Sequence, residues 1–324
     1  MKVFITGIAG FIGFHAALKL HQEGCDVVGI DNFNAYYNPD LKRARVVHLP
    51  KTVNVIEGDI AESDDFIPMV LAEQPDVVLH LAAQAGVRYS LENPLAYGRT
   101  NLVGHLNVLE ACRALDGLSR LVYASSSSVY GGHDKTPFSE NEPVKPPVSL
   151  YAATKQADEL LSSTYSHLYD IEQIGLRFFT VYGPWGRPDM AYWLFSDAIL
   201  NGRPIDVFNN GDLKRDFTHV DDIIDGIASV VLKKPNFEGF ERPHRVYNIG
   251  NNQPETLMDF ISILEAELGQ EAQKNFKPMQ PGDVYETYAD IAAIAKDYGF
   301  QPKTSLVDGL KEFVDWFKAE GQKW

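Results

Sequence analysis

Tyr151 and Lys155 stand four residues apart in Ser149-Leu-Tyr-Ala-Ala-Thr-Lys155. The residues that follow, 156–168, contain no Gly or Pro and repeat apolar side chains every three or four positions, so the spacing predicts a helix. On a helix, positions i and i+4 share a face, which sends a phenol and an ammonium into one cleft. A free phenol ionises near pH ~10 and is a poor base at neutrality, but a cation beside it favours the phenolate. Such a phenolate can take a proton from a substrate hydroxyl. Taken alone, the spacing also fits a surface Tyr and an unrelated Lys. The residues upstream decide between the two.

Those residues describe a nucleotide-binding sheet. Residues 2–6 read as a buried strand, followed by Gly7-Ile-Ala-Gly10-Phe11-Ile12-Gly13 and a helical run over 14–23. Gly7 permits the tight turn, Gly10 a close approach of backbone to phosphate, and Gly13 close helix–strand packing, so that a helix N-terminus faces a pyrophosphate. A second strand over 26–30 ends in Asp31-Asn32. An acid there accepts hydrogen bonds from the adenosine ribose and repels a 2′-phosphate, which points to NAD rather than NADP. Asp59 and Ile60 close the third strand, over 53–56, where Asp59 suits either the adenine amino group or a helix N-cap. The fourth strand, 76–81, runs into Leu81-Ala82-Ala83-Gln84, whose small residues leave room for a cofactor at the ligand-binding edge of the sheet. Asn101, at the start of a helix over 101–114, joins the expected cofactor contacts. A fifth strand, 120–124, runs into Ser125 to Ser128, any of which can be turn chemistry or the hydroxyl that binds the oxygen Tyr151 deprotonates. Arg88 suits an anion or solvent equally.

The elements needed to hold these residues are those of an α/β protein: a Rossmann-type doubly wound parallel sheet with a smaller C-terminal α/β substrate domain. Its boundaries are expected at residues 1–179 plus about 213–248 for the NAD-binding part. The substrate part takes 180–212 plus about 249–324. Residues 34–50 read as a long polar excursion, and 181–189 and 209–218 as loops. A sixth strand is expected over 176–179, a short strand over 205–208, and helices over 221–232, 256–268 and 306–318.

The totals narrow the partners. The 324 residues carry 29 Lys+Arg against 44 Asp+Glu, a formal net charge of −15, which argues against a nucleic-acid binder. The apolar run over residues 3–5 is too short for a leader or a membrane span. Two cysteines without a CxxC pattern suit a reducing compartment, so the cytoplasm is expected, and the nine His show no metal-ligand spacing.

Gly7-x-x-Gly10-x-x-Gly13, Asp31, Ser126 to Ser128 and Tyr151-x-x-x-Lys155 occur in the order and spacing of the extended short-chain dehydrogenase/reductases that act on nucleotide sugars, and the chain resembles that family over its whole length. Leu-Arg-Phe-Phe179 and Arg215-Asp-Phe-Thr-His-Val-Asp-Asp222 extend the likeness. Phe-Phe-Thr180-Val-Tyr-Gly-Pro-Trp-Gly-Arg187-Pro-Asp-Met resembles the UDP-glucuronate 4-epimerases in particular, including those of capsular polysaccharide biosynthesis.

The resemblance implies that Tyr151 removes the proton of the sugar 4-OH while C4 gives a hydride to NAD⁺, and that the 4-keto sugar turns over and takes the hydride back on its other face. It implies that Lys155 binds the nicotinamide ribose and that Ser126, with Ser128 as second candidate, faces the same oxygen. Dehydratases of the family carry an Asp-Glu pair where this chain has Ser127 and Ser128, and decarboxylases usually keep the Glu, so epimerisation is favoured. Arg187 is the first candidate to hold a C6 carboxylate, because a guanidinium pairs two-pronged with one; Thr180, Arg88 and Ser127 complete the expected sugar pocket. Arg215 and Asp283 resemble the nucleotide contacts, Val207 and Phe208 the uracil wall, and Gln280 stands where many relatives place Arg. The expected partner is thus a UDP-sugar, with UDP-glucose 4-epimerase and UDP-glucuronate decarboxylase as the rival activities. A homodimer paired through the helices near 101–114 and 151–169 is also implied.

Overall fold

The computed structural model describes residues 1–133, 135–280 and 284–324. The strands are β1 (Lys2–Thr6), β2 (Asp26–Asp31), β3 (Asn54–Glu57), β4 (Val77–His80), β5 (Arg120–Ser126), β6 (Gln173–Phe178), β7 (Thr180–Tyr182), β8 (Ile205–Val207), β9 (Lys214–His219), β10 (His244–Ile249), β11 (Pro254–Thr256) and β12 (Lys274–Phe276), with the central β1, β4 and β6 buried almost throughout. Between them run α1 (Phe11–Gln22), α2 (Pro39–His48), α3 (Ser63–Glu73), the single turns α4 (Tyr89–Glu92) and α5 (Pro94–Tyr97), α6 (Gly104–Ala114), α7 (Leu150–Tyr169), α8 (Ala191–Leu200), α9 (Val220–Leu232), α10 (Leu257–Leu268), α11 (Ala292–Tyr298) and α12 (Leu306–Ala319).

Seven strands pair in the order β10-β6-β5-β4-β1-β2-β3, and every pairing in that sheet is parallel. This is the doubly wound topology. The chain leaves β1 toward β2 and β3, then returns to place β4 on the other side of β1. The crevice at such a reversal, outside the carboxyl ends of β1 and β4, is where open α/β sheets bind ligands. One face of the sheet packs with α1 and α9 through Val3, Ile5, Phe14, Leu20, Ile223 and Ile227. The other packs with α3 and α6 through Phe4, Val28, Phe66, Val108 and Leu109. A separate apolar cluster ties α8, α10 and α12 together through Trp193, Ile199, Phe260, Leu264, Leu310 and Phe313. It covers the small sheets β11-β9-β7 and β12-β8. No helix of the described residues is long and apolar enough to cross a membrane.

Four stretches differ from the sequence reading. Helix α1 starts at Phe11 rather than at 14, because extended Gly10 serves as its N-cap and Gly13 fits inside the first turn. Residues 39–48 are helical: the Asn38 side chain accepts from the Asp40 N–H at 3.0 Å and Pro39 sits in the first turn. The stretches over 181–189 and 209–218 contain β7 and β9, which pair with each other.

The polar sequence of β9 is buried because Asp216 acts as a hub. Its carboxylate accepts the backbone N–H groups of Asn251 at 2.6 Å, Asn252 at 3.0 Å and Ala289 at 3.0 Å. It thereby ties β9 to the turn after β10 and to the segment before α11. Asp216→Ala would leave these donors unpaired in the interior, so we expect a loss of about 3 kcal/mol. A chemical denaturation curve with an unchanged midpoint would contradict that role.

Candidate active site

A cleft of ≈ 250 Å³ opens at the carboxyl edge of the large sheet, lined among others by Gly7, Gly10, Asp31, Asp59, Ala82, Ser126, Tyr151, Lys155 and Arg187. Its floor is the glycine turn. Gly7 has φ +73°, and a Cβ there would stand 2.8 Å from the Ala82 nitrogen. A Cβ on Gly13 would stand 2.1 Å from the Gly7 carbonyl oxygen, so only glycine lets α1 start this close to β1. Phe11, Ile12 and Gly13 line the cleft with the first turn of α1, and no side chain caps that turn. It therefore offers backbone N–H groups and the positive end of the helix dipole to an anion.

The rim of the cleft is fixed by short polar links. Asp31 accepts from the Ala9 N–H at 3.2 Å and the Phe33 N–H at 2.9 Å. The neighbouring Asn32 accepts from the Asn34 N–H. Lys42, buried on α2, brings its ammonium 3.4 Å from Asp31, so this acid has a cation beside it. Asp59 accepts from the Ala61 N–H at 2.9 Å and from Arg99 at 3.2 Å, and Ile60 packs behind it in the cleft wall. The Thr6 hydroxyl holds the turn after β4 by accepting the N–H groups of Leu81 and Ala82. Ala83 and Gln84 continue that wall.

Asn101 is not a cleft residue. It is buried at the end of β4, where its oxygen accepts the Gln84 N–H at 2.8 Å and its amide donates to the Gln84 carbonyl and to Thr154 on α7. It sits in a π-helical turn, Gly98–Val103, an irregularity that often marks functional sites. Thr100 of the same turn reaches the cleft. Asn101 thus ties the turn after β4 to the helix that carries Tyr151 and Lys155.

That helix, α7, begins where the Ser149 hydroxyl accepts the Ala152 N–H at 3.1 Å. Tyr151 and Lys155 both face the cleft, and the Tyr151 ring meets Tyr97 edge-on at 6.1 Å. Lys155 is 2% exposed; its ammonium donates to the Ala124 carbonyl at 3.0 Å and to Asp158 at 3.1 Å. Across the cleft, Ser125 donates to Glu159, and Ser126 lines the cavity. Ser128 donates to the Ser126 oxygen at 2.9 Å and also places its N–H there. Ser127 and Ser128 open a 3₁₀ turn over Ser127–Tyr130 and lie behind Ser126 rather than among the lining residues.

Arg187 reaches the cleft from the loop after β7, but its two-pronged edge is engaged. Nε and Nη2 donate to Asp189 at 3.0 and 2.6 Å, and Asp189 also accepts from the Tyr36 hydroxyl at 2.9 Å. Burial opposes the Arg187 charge, and the Asp189 carboxylate more than restores it; Asp189 in turn is held below the usual carboxylate range by Arg187 against its own burial. Nη1 is the edge left for a further acceptor. Thr180 starts β7 beside the lining residues Phe179 and Val181.

The remaining expected contacts lie outside the cleft lining. The Arg88 guanidinium stands 5.0 Å over the Phe208 ring, so these two come together. Val207 is wholly buried in the core of α8 and α10. Arg215 donates to the carbonyls of Lys214 and Tyr285. Asp283 lies outside the described residues. The sequence reading passed over Lys42, Tyr36, Tyr37 and Asn34, all lining residues from the stretch taken as an excursion. Asn38-Pro39 was the signal that this stretch contains a helix.

A doubly wound sheet with a glycine-built anion cradle and a Tyr-Lys-Ser cluster at one edge defines a dinucleotide-binding protein of the short-chain dehydrogenase/reductase type. Residues 3–250 match the NAD dependent epimerase/dehydratase family, and the chain belongs to it. It is 49% identical over 331 residues to Protein CapI of Staphylococcus aureus, covering 98% of both chains. It is 46% identical over 333 residues to UDP-glucuronate 4-epimerase 1 of Arabidopsis thaliana, covering 98% of this chain and 76% of that one. The structure superposes with a TM-score of 0.91 on UDP-glucuronic acid 4-epimerase from Bacillus cereus, solved with UDP-glucuronic acid and NAD, at 36% identity over 98% of this chain and 99% of that one.

The cradle can be tested apart from catalysis. Gly13→Ala would push a methyl into the Gly7 carbonyl and open the turn. We expect the variant to bind added NAD more weakly than the wild type, read by calorimetric titration of each. Equal affinity would show that the turn tolerates the side chain.

Proposed function

We propose that the protein interconverts UDP-glucuronate and UDP-galacturonate by NAD-dependent epimerisation at C4. The observation that carries this reading is the meeting, in one cleft, of the glycine cradle, the Tyr151–Lys155–Ser126 cluster and a guanidinium at Arg187. The cradle fits a dinucleotide, since a Cβ on Gly7, Gly10 or Gly13 would meet backbone at 2.8, 3.0 and 2.1 Å and open the tight turn that leads into the uncapped N-terminus of α1. The first turn of α1 would hold that pyrophosphate, Asp31 with Asn32 the adenosine ribose, Asp59 and Ile60 the adenine, and Leu81 to Gln84 with Lys155 the nicotinamide end. Bound NAD⁺ supplies an acceptor and donor of hydride for C4.

The chain's own groups do the acid–base work. Tyr151 takes the proton from O4 and returns it after the sugar has turned over. Lys155 stands one turn along the same helix and lines the same cleft. The Ser126 hydroxyl positions the same oxygen, with its orientation set by Ser128. Neither Ser127 nor Ser128 can act as a carboxylic acid, so elimination of water has no catalyst at that place. A C4 ketone is β to the uronate carboxylate, and the sugar would lose CO₂ if the C5–C6 bond aligned with the carbonyl π system. A hydrogen bond from Arg187 Nη1 opposes the loss of charge that decarboxylation requires, and Thr180 and Arg88 complete the hold on the sugar. Phe208, Arg215 and Asp283 take the uridine diphosphate. The substrate-binding unit comprises residues 180–212 plus about 249–324, and the NAD-binding unit the remainder.

We further place the protein in the cytoplasm, where NAD and UDP-sugars meet and where the unpaired Cys25 and Cys112 stay reduced, and its product in polysaccharide assembly. We also read it as a homodimer. Helix α7 buries Ala152, Lys155, Asp158, Ser162 and Ser166 on one side and exposes Leu160, Leu168 and Tyr169 on the other, beside exposed Val103 and Leu106 at α6. Apolar side chains in such a patch favour a second copy. Leu160→Asp should convert the dimer to monomer in light scattering; a dimer that survives would move the interface elsewhere.

Tyr151→Phe tests the chemistry: turnover of UDP-glucuronate should fall by about 10² or more while NAD stays bound. Unchanged turnover would remove Tyr151 from the reaction. Assay of UDP-glucose beside UDP-glucuronate tests the substrate, and preference for the neutral sugar would overturn the uronate assignment.

A further inference from the structure

The backbone at Arg187 is fixed from both sides. Its N–H donates to the Tyr192 hydroxyl at 3.0 Å, and its carbonyl accepts the Met190 N–H at 3.2 Å. Just before it, the carbonyls of Trp185 and Gly186 accept from the buried Arg45 at 2.8 Å each. What this leaves loose is the Arg187 side chain, which has many rotamers to choose from. Asp189 removes that freedom. Its two oxygens accept from Nε and Nη2 at 3.0 and 2.6 Å. Pro188, whose ring fixes its own φ, stands between the two partners.

Asp189 is itself braced. The Tyr36 hydroxyl, from the stretch before α2, donates to it at 2.9 Å. That hydroxyl lies close against Gly86, where a Cβ would stand 2.7 Å from the phenol oxygen. The Tyr36 ring packs on Tyr89 with centroids 4.6 Å apart. Tyr36 and Arg187 are among the residues that line the cleft, and Asp189 is not. Asp189 therefore acts on a ligand through Arg187.

A link between residues two apart closes almost no chain, so the Arg187–Asp189 pair adds little to the fold. Its effect is on where the guanidinium points. A second carboxylate brought to the Nε–Nη2 edge would meet the like charge of Asp189, which is unfavourable. A ligand carboxylate is thus left with the Nη1 side, approached from one direction. We propose that Asp189, braced by Tyr36, is a positioning residue that fixes how Arg187 meets the uronate carboxylate, and thereby decides between epimerisation of the 4-keto sugar and its loss of CO₂. The inference rests on the uronate epimerisation read above. In the loss, the C5–C6 bond breaks and CO₂ leaves. The electron pair of that bond passes into an enolate with the C4 carbonyl, and C5 then takes a proton from water. The bond must first align with the carbonyl π system, and a guanidinium held in one direction opposes that alignment.

The test incubates the wild type, Asp189→Asn and Tyr36→Phe with UDP-glucuronate and measures CO₂ and UDP-galacturonate together. Binding of UDP alone is titrated by calorimetry. The amide keeps the size of Asp189 but offers one acceptor oxygen in place of two, and Tyr36→Phe keeps the ring and removes the brace. The share of product lost as CO₂ should rise about 10-fold in Asp189→Asn and by less in Tyr36→Phe, with UDP affinity at the wild-type level. An unmoved share in Asp189→Asn overturns the proposal, and Tyr36→Phe decides should that variant fail to fold. A rise matched by an equal weakening of UDP also overturns it, because Asp189 would then support the whole pocket. A wild type that makes no UDP-galacturonate sinks the functional reading and this inference with it. A wild type that epimerises, beside variants whose CO₂ share is unmoved, sinks this inference alone.

Discussion

Lys155 carries a positive charge into a place that water scarcely reaches, and much of the site follows from what that charge requires. A buried ammonium must find acceptors for its N–H groups. Here the acceptors are the Ala124 carbonyl, at the end of β5, and Asp158, on the same helix. The bond to Ala124 fixes α7 against the carboxyl edge of the sheet, and with it Tyr151 one turn earlier. Because β5 ends in Ser125 and Ser126, the same anchor holds Tyr151 and Ser126 to one cleft. A sliding of α7 by one residue would break the bond to Ala124 and leave the one to Asp158, which rides on the same helix.

Two further ties make this edge a single unit. Asn101 joins the turn after β4 to Thr154 of α7, so that turn and the helix carrying Tyr151 and Lys155 are held by one buried amide. On the other flank, Arg45 is fully buried. It donates to the Ala9 carbonyl in the glycine turn and to the carbonyls of Trp185 and Gly186, at 2.8 to 3.0 Å. The anion cradle and the loop that presents Arg187 therefore move together. The turn after β4, the glycine turn and the loop that presents Arg187 are thus tied to their neighbours by two buried side chains, Asn101 and Arg45.

What could be read from the chain beforehand followed from short spacing. Gly7, Gly10 and Gly13 between a strand and a helix, Asp31 at a strand tip, and Tyr151 four residues before Lys155 each state their geometry locally. The parallel sheet was legible for the same reason, since its strands are buried runs separated by helical periods. Contacts made at long range were not legible. Nothing near Asp158 announces that it closes on Lys155 in the interior, and Lys42 reaches Asp31 only because α2 folds back over β2. Strand β9 was taken for a loop because its polar residues suggested solvent, whereas Asp216 buries them by gathering backbone donors from two other segments. Arg187 was expected to offer its two-pronged edge to a substrate carboxylate. Asp189, two residues on, holds that edge, and the nearness of the acid in sequence was the overlooked clue.

The central claim is that C4 loses and regains its own hydrogen within one enclosed site. UDP-glucuronate carrying deuterium at C4, incubated with the protein in ordinary water, tests it most directly by NMR of the product. The account predicts UDP-galacturonate with deuterium retained at C4 in the inverted configuration. Product with hydrogen from solvent at C4, or a UDP-pentose released with CO₂, would contradict it.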